Sequence, residues 1–170
     1  MKITCITVGK IKEKFMTDAI NEYAKRLSRY CKLDIIELAD EKTPDNASAV
    51  EEENIKNKEG ERILAKIKDG AYVISLAIEG KQLDSVELSQ KINDLGVNGT
   101  SHIVFIIGGS LGLSDAVKII SYIFLKGKCL KCKEKISFSP MTFPHQLMRV
   151  ILLEQVYRGF RIANNEPYHK

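Results

Sequence analysis

The chain has 170 residues, 44% of them hydrophobic, and a formal charge of +4. That size and composition predict one globular domain over residues 1–170, with a proper core. They exclude a bilayer-spanning helix, because no apolar run approaches the roughly 20 residues it needs. The opening MKITCITVGK lacks a signal-peptide cleavage pattern. The unevenly spaced Cys5, Cys31, Cys129 and Cys132 are therefore expected as reduced thiols in the cytoplasm. The small basic excess permits nucleic-acid binding without arguing strongly for it.

In chain order, ITCITV (3–8) reads as a buried strand ending at Gly9. Residues 12–30 follow as an amphipathic helix, with Phe15, Ala19, Ile20, Tyr23 and Leu27 at helical spacing. LDIIEL (33–38) is the second strand, and a polar loop leads to a charged helix over roughly 48–67. YVISLAI (72–78) is a third strand that stops at Glu79-Gly80. A helix over 84–95 starts on Asp84 as a possible N-cap. HIVFIIGG (102–109) is the clearest strand, and FLKGKCLKCKEK (124–135) looks like a Lys- and Cys-rich surface insert. A short strand near 136–139 precedes an irregular loop, and Pro144 opens a strongly apolar helix. Strands that are apolar throughout and separated by helices predict an α/β fold. Its sheet is mainly parallel, with helices on both faces.

Ligands of open α/β sheets bind beyond the carboxyl ends of the strands. Three such ends carry suitable residues: Leu76 to Gly80, Gly108 to Leu113, and Ser139 to Thr142. GGSLGL matches neither a dinucleotide fingerprint nor a P-loop, and serves equally well as a tight turn or as a ligand-approach loop. The breadth of apolar residues on the 144–162 helix places it either at the centre of the fold or at a subunit interface. Arg149 and Arg158 on that helix offer RNA-phosphate contacts, or else snorkel or pair with Glu154. His145, in the first turn, is read as ordering the loop rather than moving protons.

IVFIIGGSLGLS, SFSPMTFPHQLMRVILLEQVYRGFRI and the terminal PYHK together resemble the ribosomal RNA large subunit methyltransferase H family, of the knotted SPOUT class. ITVGKIKEKF, INEYAKRLSRY and KEGERILAKI extend the resemblance over nearly the whole chain. The resemblance implies a homodimer with a C-terminal trefoil knot that uses S-adenosylmethionine. Its expected target is N3 of a pseudouridine in 23S ribosomal RNA. It also implies cofactor contacts from Leu76, Gly108, Gly109, Phe138, Ser139, Pro140, Met141, Thr142 and Phe143. Tyr168 and His169 of the partner's tail, with Arg158 of the apolar helix, would position the substrate, and His169 is a candidate acceptor for the N3 proton. Two rivals stay open: a SPOUT enzyme acting on transfer RNA, and a non-enzymatic nucleotide- or ribosome-binding module. Cys129 and Cys132 have the spacing of half a zinc site, but no second pair completes it, so no metal is expected.

Overall fold

The computed structural model describes residues 1–118 and 131–168, with the backbone alone described at 131–133. Five strands form one sheet in the order β2-β1-β4-β3-β5, every neighbouring pair parallel. They are β1 (Lys2–Val8), β2 (Lys32–Leu38), β3 (Tyr72–Gln82), β4 (His102–Ile107) and β5 (Lys131–Ser137). The helices are α1 (Lys14–Leu27), α2 (Ala49–Lys66), α3 (Ser85–Val97), α4 (Asp115–Lys118) and α5 (His145–Ala163).

Alternation along the central strands sorts their side chains into two cores. Ile3, Cys5, Ile103, Phe105 and Ile107 face one side, where Leu27 of α1, Leu88 and Ile92 of α3, and Leu152, Leu153 and Val156 of α5 meet them. Ile6, Val8, Val104 and Ile106 face the other, against Ile63 of α2 and Val117 of α4. Each such buried side chain contributes roughly 1.5–3 kcal/mol of transfer free energy. Helices α2 and α3 begin on complete capping boxes, Ser48 with Glu51 and Asp84 with Glu87, as Asp84 had suggested.

Three expectations need correction. Strand β3 does not stop at residue 78. Its pairing with β5 runs to Leu76, breaks, and resumes at Lys81 and Gln82, so residues 77–80 bulge out of the ladder. Gly80 makes the rejoining possible, because a Cβ there would lie 2.5 Å from the Ile136 carbonyl carbon. Secondly, Lys131–Lys135 are not part of a surface excursion but the first residues of edge strand β5. Alternating lysines read as a charged loop in sequence, yet they are what an exposed sheet edge uses to discourage pairing with other chains. Thirdly, Pro144 is the N-cap residue of α5, one position before the first helical residue.

Helix α5 takes up one of the two places its apolar breadth allows. It lies between α1 and α3, and no large apolar side chain on it is exposed. Leu152, Leu153 and Val156 answer to that central place, while Leu147, Val150 and Ile151 stay half-buried in the single chain.

Candidate functional site

A cavity of about 680 Å³ opens at the carboxyl ends of β3, β4 and β5. The bulge after Leu76 forms one wall, the Gly108–Leu113 turn a second, and Ile136–Ser139 with Met141–Phe143 a third. Pro144, His145 and Met148 of α5 close it, and Lys118 of α4 reaches its rim. The glycine turn is closed by a hydrogen bond from the Gly112 amide to the Gly109 carbonyl, with Gly112 at φ +82°. A Cβ on Gly108 would strike the Gly112 carbonyl group at 2.7–2.8 Å. A Cβ on Gly109 would meet the Glu59 carboxylate at 3.0 Å and Val8 at 3.2 Å. The bareness of Gly109 therefore answers to packing against α2 and β1. In the third wall, Ser137 Oγ donates to the Ser139 carbonyl, and Ser139 Oγ accepts from the Met141 amide. These local bonds hold an irregular backbone in place where no strand or helix could.

The cavity thus gathers Leu76, Gly108, Gly109, Phe138, Ser139, Met141, Thr142 and Phe143. Pro140 is exposed and does not line it. Ile78 and Glu79, from the strand end at Leu76 to Gly80, also line it, as do Lys118 and Met148, which the sequence reading did not single out as site residues. Met148 could have been found, since it lies one helical turn from Pro144, which opens the helix beside the candidate loop.

Arg149 does not offer itself to phosphate. It is 1% exposed and donates to the carbonyls of Val8 (2.8 Å) and Gly9 (2.7 Å), and to Glu37 Oε1 at 2.6 Å. It ties α5 to the ends of β1 and β2. His145 stands beside it, and a Cβ on Gly9 would lie 3.3 Å from its Nε2. Burial, and then the Arg149 charge, hold the His145 imidazole below its ordinary range, which leaves it neutral at pH 7.

Arg158 and Tyr168 sit elsewhere. Ten residues separate Met148 from Arg158 along α5, about 15 Å of helix. Arg158 donates to Glu154 (2.5–3.0 Å), and its guanidinium lies 4.7 Å from the centre of the Tyr168 ring. The Tyr168 hydroxyl donates to Glu154 Oε1 at 3.2 Å, and its ring meets Tyr157 edge-on at 5.0 Å. Burial, with the neighbouring Tyr23 and Glu154, pushes the Tyr168 phenol up to about 12, so it keeps its proton. His169 lies outside the described residues, as does Cys129. Among the described residues, no group of three His, Cys, Asp or Glu side chains could hold a metal ion.

Comparison with known proteins agrees with this arrangement. The family model described as "Predicted SPOUT methyltransferase" matches residues 1–169. A Bifidobacterium adolescentis protein named ribosomal RNA large subunit methyltransferase H is 63% identical over the full length of both chains. Proteins of the same name from Clostridium acetobutylicum and Clostridium tetani are 61% and 58% identical, again over the whole of each chain. With its full length matched and its pocket built from the motif residues, the chain belongs to the SPOUT methyltransferase family.

Proposed function

We propose that this protein methylates N3 of a pseudouridine in 23S ribosomal RNA of the large subunit, as a cytoplasmic homodimer. S-Adenosylmethionine is the methyl donor. The observation that carries the reading is a pocket walled by backbone turns and apolar side chains at three parallel strand ends. Its volume suits a nucleoside with an amino-acid arm. The knot is carried over from the family, not from a crossing traced in the sheet.

The donor's sulfonium supplies an activated methyl and a good leaving group. The protein's task is therefore to hold two partners in line. The Leu76 bulge, the glycine turn and the 138–143 loop form a slot that can grip a purine through backbone groups and apolar surface. The attacking imide nitrogen must lose its proton. Tyr168 keeps its proton and offers no free base, and burial with the Arg149 charge weakens His145 as a base. His169, water or the RNA itself are left for that step.

Within one protomer the pocket and the Arg158–Tyr168 group lie at opposite ends of α5. A two-fold pairing that sets one protomer's tail over its partner's pocket would bring them together. Ile78, Met141 and Phe143, exposed on the cavity wall, supply apolar surface for such a contact. Among the described residues, no helix is long and apolar enough to cross a membrane.

Mass mapping of 23S ribosomal RNA from cells with and without the gene tests the reaction. Loss of one methyl on a pseudouridine is expected; an intact 23S pattern with a methyl lost from transfer RNA would favour the transfer-RNA rival. Sedimentation at micromolar concentration should give a species of twice the 19.1 kDa chain mass.

A further inference from the structure

Among the described residues lining the cavity, Glu79 and Lys118 are the two that carry a formal charge at neutral pH. Everything else there is apolar, backbone, hydroxyl-bearing or the neutral His145. The two form an ion pair, Lys118 Nζ to Glu79 Oε1 at 3.2 Å, with side chains 29% and 47% exposed. Glu79 sits on the bulge of β3, held there by the pairing break between Leu76 and Lys81. Lys118 comes from α4, which packs on the α2 side of the sheet.

We infer that this pair recognises the zwitterionic amino-acid arm of the cofactor, Glu79 taking the α-ammonium and Lys118 the α-carboxylate. The assignment rests on the cofactor reading above. Three points support it. An ammonium and a carboxylate cannot be placed against apolar walls without a large desolvation penalty, so they must go where the pocket has charge. The pair presents one charge of each sign, matching the arm. A half-exposed ion pair holds its own partners weakly, so exchanging the mutual bond for two bonds to the ligand costs little. The nucleoside is then left to the slot between the glycine turn and the 138–143 loop. Glu79 carries a further benefit, because a carboxylate near the rim favours a cationic sulfonium over its neutral product.

The test is direct binding by calorimetry with two ligands, S-adenosylhomocysteine and 5′-methylthioadenosine, which lacks the amino-acid arm. Wild type should prefer the ligand with the arm. Lys118→Met and Glu79→Gln, each checked for fold by circular dichroism, should each weaken S-adenosylhomocysteine about tenfold. Both should leave methylthioadenosine unchanged. Equal losses for both ligands, or no loss for either, would overturn the assignment while leaving nucleoside binding in place. Failure of the wild type to bind either ligand would sink the cofactor reading itself, and the assignment with it.

Discussion

Arg149 and Arg158 belong to one helix and stand nine residues apart, two and a half turns, so they leave it on opposite sides. The sequence offers them the same roles. The fold gives them different ones. Arg149 is sealed against the ends of β1 and β2, where two backbone carbonyls and Glu37 take its two terminal nitrogens and only its Nε finds no partner among the described residues. Arg158 is a quarter exposed, paired with Glu154 and lying over Tyr168. A guanidinium that has spent its donors on the protein's own backbone cannot greet a ligand. Burial, not residue type, separates the two arginines.

The largest effect expected from this contrast is on stability. Arg149→Met should lose about 3 kcal/mol, because the carbonyls of Val8 and Gly9 are left buried without donors and Glu37 without its cation. Urea unfolding followed by far-ultraviolet circular dichroism measures it. A change under about 1 kcal/mol would mean that water replaces the guanidinium and that the site is less dry than it looks.

On the other side of the helix the effect should fall on catalysis. Removing residues 168–170, or Arg158→Ala, should lower methyl transfer to ribosomes about a hundredfold, the scale of loss when a substrate is misplaced by an ångström. Cofactor affinity should be unchanged, since neither Arg158 nor Tyr168 lines the pocket of its own chain. If the truncated protein retained full activity, the tail would be packing on Tyr157 and nothing more.

The fold was legible wherever local pattern and burial agree. The apolar runs at 3–8 and 102–107 are the central strands, and Asp84 caps α3. Sequence pattern fails where two distant segments decide. Gly80 exists for the Ile136 backbone, fifty-six residues away, and no window of neighbours contains that contact. Lys131 to Lys135 carry the composition of a loop because the edge position of β5 is a property of the whole sheet. The cavity wall was legible through motif residues such as Phe138 and Met141, whereas Glu79 and Lys118 meet only in three dimensions. The Arg149 contacts to Val8 and Gly9, about 140 positions distant, were equally hidden.

Glu59 sharpens the comparison from the side of the anions, with the smallest expected effect. Like Arg149 it is buried, 5% exposed, on α2 behind the glycine turn. Unlike Arg149 it has an acidic neighbourhood. Its Oε1 accepts from the Glu41 amide at 3.0 Å, while Asp40 and Glu41 oppose its charge and Arg62 partly offsets them. Burial, the largest cause, pushes the carboxyl above the ordinary glutamate range. An acid raised by folding is favoured in its protonated form, so its ionisation costs stability. That cost is absent below the unfolded value, about 4.3. It grows as pH rises and is complete above the folded value. Glu59→Gln keeps an acceptor for the Glu41 amide and removes the charge. The variant should therefore be more stable than wild type at pH 7 by about 0.5–1 kcal/mol, and the gap should close near pH 4. Thermal melts of both proteins from pH 3.5 to 8 measure it. A gap that stays constant across that range would assign the effect to the new amide's contacts, and a stable wild type with a destabilised variant at pH 7 would make Glu59 a buried charge held by its hydrogen bonds, as Arg149 is.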